Sequence, residues 1–324
     1  MNEARPSASR RSPIPQRLLT RRQFLAATAL TAAGCATTET ASSGAYQIGC
    51  YTRPWGEHDW RVALDAIAGA GFKYAGLMTT NTKDHLIISA ATTVEEAHAA
   101  GEECKKRGLK VSSLWGGGFA VAKSLEAGIA DLRRLIDNCI ACGTTQLMVG
   151  GTNEKLHDVY YKAVAEACDY AAPKGVGLSV KPHGGSNSTG AQCRKIVELV
   201  GKKNFGLWYD PGNIFFYSNG ALDPVKDSAE VDGLVVGMSV KDYRPAKEDP
   251  ATPAKKKSPY GGDVALTPGT GMVNFKAVMA NLKKGGFTRG PLIVECLEKG
   301  DLPALAAEAK KARVFLEELT GQKA

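Results

Sequence analysis

From Tyr46 onward the chain alternates short apolar runs with longer stretches whose apolar residues recur every three or four positions. The short runs, at residues 46–51, 73–78, 109–115, 145–149, 176–181, 205–210, 234–240 and 291–296, read as strands. The stretches between them read as amphipathic helices, as in Trp60, Ala63, Leu64 and Ile67, or Leu302, Leu305, Ala309, Ala312, Leu316 and Leu319. Glycine follows several of these helices just before the next strand, at Gly71, Gly108, Gly143, Gly175 and Gly285-Gly286. Eight such units in roughly 280 residues predict a (β/α)8 barrel over residues 45–320. The competing arrangement is an open doubly wound sheet, whose Gly-x-Gly-x-x-Gly fingerprint is absent from the chain.

A barrel of this kind builds its site where the strands end, and alternate strand residues face opposite sides. In the seventh run Val236, Met238 and Val240 form an apolar set suited to the helix layer, which leaves Gly237, Ser239 and Lys241 toward the axis. The same parity sends Leu178 and Val180, Leu207 and Tyr209, and Leu292 and Val294 outward. Lys181, Asp210, Ser239, Lys241 and Glu295 are then expected to converge inside the barrel mouth, with Asp242 one position beyond. Buried carboxylates beside ammonium groups are costly unless they pair with one another or hold a ligand or metal.

Tyr209-Asp210-Pro211-Gly212-Asn213, Ser239-Val240-Lys241-Asp242, Pro268-Gly269-Thr270-Gly271 and Val294-Glu295 resemble the strand-six to strand-eight signatures of the sugar phosphate isomerase/epimerase family, with its xylose-isomerase-like barrel. The resemblance covers residues 46–319 by element order and about 100 residues by motif. It implies proton transfer between neighbouring carbons of a sugar or keto-sugar, with a divalent metal (Mn, Mg, Zn or Co) polarising the carbonyl and hydroxyl oxygens. Carried over by position, Asp210 and Glu295 match two metal carboxylates of that family. The strand-five glutamate falls at Lys181 and the strand-seven histidine at Ser239, and an ammonium cannot coordinate a cation. Lys181 is therefore expected to replace the metal as a fixed positive charge between Asp210 and Glu295; deprotonated by burial, it would instead serve as a base or form a Schiff base.

His183, in Lys181-Pro182-His183-Gly184-Gly185, is placed for acid/base or orienting work. His58, His85, His98 and His157 carry weaker signals. Trp55, Trp115, Phe215, Phe216 and Tyr217 follow strands at the ligand face, where flat rings suit the C–H faces of sugars. Arg53, Asn213, Ser239, Lys241 and Asp242 are the candidates for bonding hydroxyls. Residues 244–268, rich in Lys, Pro and Gly and including Lys255-Lys256-Lys257, read as an exposed loop over that face.

Charge changes the picture at one end only. The chain carries a formal +8, but residues 1–34 hold six arginines against Glu3 alone, a local +5 that leaves +3 for the rest. Thr20-Arg21-Arg22-Gln23-Phe24-Leu25 with the uncharged run after it resembles a twin-arginine export signal. Ala32-Ala33-Gly34-Cys35 resembles a lipoprotein cleavage box, making Cys35 the lipidation candidate, and residues 35–44 read as a flexible linker. Export to the periplasm, with membrane contact only through that anchor, is the expectation. The apolar run is shorter than the ~20 residues of a spanning helix. The other seven cysteines form no disulfide or zinc pattern and read as buried thiols. Five histidines are too few for the three-zinc site of endonuclease IV, which shares this barrel type, and nucleic acid is not an expected partner. Beside the isomerase/epimerase reading stand two others: elimination or bond cleavage of an oxidised glycoside, and a non-catalytic carbohydrate-binding barrel descended from a metal enzyme.

Overall fold

The computed structural model describes Met1 and residues 45–246 and 261–324. The export signal, Cys35, the linker and the Lys255-Lys256-Lys257 run lie outside the described residues. The described residues contain eight parallel strands: β1 (Tyr46–Tyr51), β2 (Tyr74–Leu77), β3 (Lys110–Trp115), β4 (Gln146–Val149), β5 (Gly177–Val180), β6 (Phe205–Tyr209), β7 (Val235–Val240) and β8 (Gly290–Val294). They close in sequence order, with β8 back on β1, as the alternating pattern predicts. Around them run α1 (Trp60–Gly69), α2 (Val94–Lys106), α3 (Leu125–Cys142), α4 (His157–Ala171), α5 (Gly190–Val200), α6 (Pro211–Tyr217), α7 (Pro224–Ser228), α8 (Phe275–Lys284) and α9 (Leu302–Thr320).

Local sequence sets where the helices start and stop. Thr93 and Glu96 form a capping box at α2, and Thr189 and Gln192 do the same at α5, each satisfying amide groups that the first helical turn leaves unpaired. Ser124 caps α3, and Gly143 ends it at φ 86°, a left-handed conformation that costs glycine nothing.

The strand parity divides the apolar residues into two cores. Leu178, Val180, Leu207, Tyr209, Met238, Val240, Leu292 and Val294 all lie in the large core between strands and helices. Val236 departs from the expected set, being 36% exposed near the amino end of β7. Inside the barrel, Tyr51, Met78, Met148, Trp208 and Ile293 form a second, smaller core. Its two largest rings sit opposite glycines on the neighbouring strands, Tyr51 paired with Gly76 and Trp208 with Gly237. A Cβ at Gly76 would lie 2.1 Å from the Tyr51 ring, and one at Gly237 would lie 2.4 Å from the Trp208 ring. The polar edges of this plug are satisfied: Tyr51 Oη and Ser113 Oγ are 2.9 Å apart, and Trp208 Nε1 donates to Ser239 Oγ at 3.2 Å.

Candidate active site

The charged residues stand just past the last paired residues of their strands, where the chain turns into a loop. Lys181 follows β5, Asp210 follows β6, Lys241 follows β7 and Glu295 follows β8. All four converge and none is more than 3% exposed. Lys181 Nζ contacts Asp210 Oδ2 at 2.9 Å and donates to Glu295 Oε2. Lys241 Nζ lies 3.0 Å from the same Asp210 oxygen and 2.7 Å from Glu295 Oε1. Arg53 adds a third cation, with Nη1 3.0 Å from Glu295 Oε1 and 2.7 Å from Cys296 Sγ. From sequence, the central charge is expected of Lys181 alone. The structure makes Lys241 its equal, so two ammonium groups bridge two carboxylates.

The electrostatics separate the two lysines. Burial dominates at Lys181 and lowers its pKa despite both carboxylates, with Lys241 pushing the same way. At Lys241 burial acts in the same sense, but Asp210 and Glu295 outweigh it and raise the pKa. Burial would raise the Glu295 carboxyl, yet Lys181, Lys241 and Arg53 together hold it well below the usual carboxylate range. With all three basic groups protonated, three cations stand around two carboxylates, a formal surplus of one positive charge.

The sequence motifs explain how this arrangement is held. Asp210 Oδ1 caps α6 by accepting from the Asn213 amide at 3.0 Å, which frees Oδ2 to face the ammonium groups. Pro211 begins the helix, and Gly212 lets it approach β7, since a Cβ there would lie 2.7 Å from the Lys241 carbonyl oxygen. Asn213 donates to the Pro182 carbonyl at 2.7 Å and accepts from Lys241 at 3.0 Å, so it positions Lys241 while lining the cavity. Asp242, expected to bond substrate, is fully buried and takes no part in the cavity wall. Its carboxylate accepts the amides of Tyr243, Gly269, Gly271 and Val273, which accounts for the Pro268-Gly269-Thr270-Gly271 motif as a loop wrapped around one anion. Ser239, also expected at the ligand, faces the axis but lies one layer too deep, where it accepts from Trp208.

Above the charges opens a cavity of about 200 Å³ lined by Lys181, Lys241, Glu295, Arg53, Asn213, Trp115 and His183, and also by Met78, Thr79, Phe216, Tyr217 and Val264. The His183 ring stands between Trp115 and Tyr217, with centroids 5.6 and 5.7 Å away. Crowding by the surrounding protein, then the Lys181 and Lys241 charges, lowers its pKa to about 4, so it is neutral at pH 7. Two expected aromatic contacts are absent from the wall: Trp55 is 1% exposed, and Phe215 is buried against Tyr243 with ring centroids 5.1 Å apart. Met78 and Thr79 were missed in the sequence, because nothing in an apolar strand end distinguishes a floor residue from core. Of the loop expected over this face, the described flanks are pinned, Arg244 and Asp263 exchanging backbone hydrogen bonds at 2.9 and 2.7 Å.

The resemblance implies a divalent metal, and the donor set does not fit one. Asp210 Oδ2 has no aligned hydrogen-bond donor and is the atom best placed to take a cation. Two ammonium nitrogens already stand within 3.0 Å of it, however, and both oxygens of Glu295 are likewise engaged. Among the described residues no three His, Cys, Asp or Glu side chains converge as metal ligands do.

A closed parallel barrel with charged residues at its carboxyl-terminal mouth defines a TIM-barrel protein with an enzyme-like site. Residues 64–319 match the xylose isomerase-like TIM barrel family model, and the chain belongs to that family. No curated protein matches it in sequence. Among solved structures it is similar to a xylose isomerase-like TIM-barrel protein from Mycobacterium smegmatis in complex with magnesium, at 20% identity and a TM-score of 0.66, covering 85% of this chain and 97% of that one. It is also similar to a D-psicose 3-epimerase in the presence of D-fructose, at 15% identity and a TM-score of 0.64, covering 85% and 99%. A third is the apo 3-keto-D-glucoside 4-epimerase from E. coli, at 15% identity and a TM-score of 0.58, covering 84% and 99%. At these identities the likeness is one of fold. Several of these structural neighbours are sugar epimerases.

Proposed function

We propose that this protein transforms a sugar or keto-sugar by moving a proton on a carbon next to a carbonyl, with the Lys181 and Lys241 ammonium groups supplying the positive charge for the substrate oxygens. The observation that carries the reading is the pair of buried lysines bridging Asp210 and Glu295 at the base of the cavity. Loss of a proton beside a carbonyl turns it into an enolate, and preorganised positive charge stabilises that anion more than the neutral ground state. The surplus of one cation matches one developing negative charge. His183, neutral at pH 7, lines the cavity and is able to accept the proton, and Trp115 offers a flat face to a sugar ring. A cavity of about 200 Å³ suits a single ring.

The test is incubation in D2O with a panel of aldoses, ketoses and keto-glycosides, followed by NMR of the carbon-bound protons. Exchange is expected for at least one substrate, and Lys181→Ala is expected to abolish it, a loss of about 10²–10³ or more. The fold should survive, because Lys241 and Arg53 still balance the two carboxylates. Full exchange in the Lys181→Ala protein would overturn the assignment. So would stoichiometric Mn, Mg, Zn or Co in the purified protein, since a metal cannot share those carboxylates with two ammonium groups.

A further inference from the structure

A second cavity of about 450 Å³ adjoins the first and shares Arg53, Val264 and Glu295 with it. It is the larger of the two, and a single ring seated in the first cavity would leave it empty. Its wall mixes apolar surface, from Pro54, Leu297 and Leu305, with the polar side chains of Glu57, His58 and Lys299. Among the described residues, no hydrogen bond or ion pair engages the side chains of those last three. Glu57 and Lys299 are exposed and His58 is half-buried, so all three side chains are open to a ligand in this cavity. Arg53 stands on the seam, committing Nη1 to Glu295 and Cys296 while its side chain stays 40% exposed. A ligand reaching across that seam would pass over the guanidinium and the edge of Glu295.

We propose that the second cavity is a subsite for a second sugar ring, so that the substrate of this protein is a disaccharide or larger glycoside with its reacting ring in the first cavity. The inference rests on the sugar reading above and narrows it. Apolar patches interrupted by separate donors and acceptors match a sugar ring, whose C–H faces and hydroxyl edges need both kinds of contact. Glu57 accepts, Lys299 donates and His58 does either, so hydroxyls of any orientation find a partner.

The experiment is calorimetric titration of the full chain with matched probes: D-glucose against cellobiose and maltose, and D-fructose against sucrose. At least one disaccharide is expected to bind tenfold or more tighter than its monosaccharide. Ala265→Trp, which fills the second cavity, should bring that affinity ratio to about one. Lys299→Ala, on the exposed rim where folding is not at stake, should lower the ratio at least threefold. A monosaccharide that binds with no disaccharide gaining over it overturns the subsite and leaves the first cavity standing. A gain that persists in both variants also overturns it, and binding of none of the probes overturns the subsite together with the sugar reading beneath it.

Discussion

Two layers of the barrel interior, stacked along the same strands, reach the same burial by different physics. In the lower layer Trp208, Ser239 and Ile293 pack with Tyr51, Met78 and Met148. Two residues further along the same chain segments come Asp210, Lys241 and Glu295, and the lower Ser179 likewise precedes Lys181. Shape satisfies the first layer and charge pairing the second. A buried ring costs little beyond its neighbours' volume, whereas a buried charge persists only with its partners in place. The lower layer should therefore answer to stability measurements and the upper one to both stability and activity.

The sharpest test is Trp208→Ala, which empties the centre of the plug and is expected to lower folding stability by about 3–5 kcal/mol in denaturant unfolding. A loss under about 1 kcal/mol would show that the lower layer is not a packed core. Next comes Glu295→Gln, which leaves three cations facing one carboxylate. It is expected to cost about 3 kcal/mol and to abolish proton exchange, whereas Lys181→Ala leaves charges balanced and should cost clearly less stability for the same loss of exchange. Equal destabilisation by the two would break the charge-counting argument. Ser239→Ala removes the acceptor of the Trp208 N–H, so unfolding should register about 1 kcal/mol with exchange activity intact; a large activity loss would move Ser239 from the plug to the ligand.

The smallest effect concerns pH. The unfolded chain's histidine takes up a proton near its ordinary value of 6.5, while folded His183 resists until about pH 4. Between those values acid favours the unfolded state, so this residue contributes stability that is complete above 6.5 and lost as pH falls toward 4. Activity that needs neutral His183 should persist across the same window. NMR titration of the imidazole checks this, and a midpoint near 6.5 would show the ring neither crowded by the protein nor within the influence of the two lysines.

Much of this was legible in the sequence, because strand periodicity fixes the side of the sheet on which each residue falls. Parity alone brought Lys181, Asp210, Lys241 and Glu295 to one point and separated them from Val180, Tyr209, Val240 and Val294. Parity does not report depth, and for that reason Ser239 read as a ligand contact although it lies beneath the site. Nor does it distinguish a carboxylate that meets substrate from one that meets amides. Asp242 differs from Asp210 only in the loop that folds back onto it, and that contact spans 27 to 31 residues of sequence. The shared seam between the two cavities joins β1, β8 and the stretch before α8, elements too far apart in the chain for any local pattern to connect them.

The pairing of Tyr51 with Gly76 and Trp208 with Gly237 has a consequence for how deep a ligand can go. Each ring occupies the space that a side chain on the next strand would have filled, and the plug reaches the cavity through Met78 and Trp115. The floor level of the pocket is thus set by two missing methyl groups. Alanine at Gly237 would force the indole to move, and the ledge beneath the cavity would move with it. The depth of this cavity is governed partly from below, by positions that do not line it.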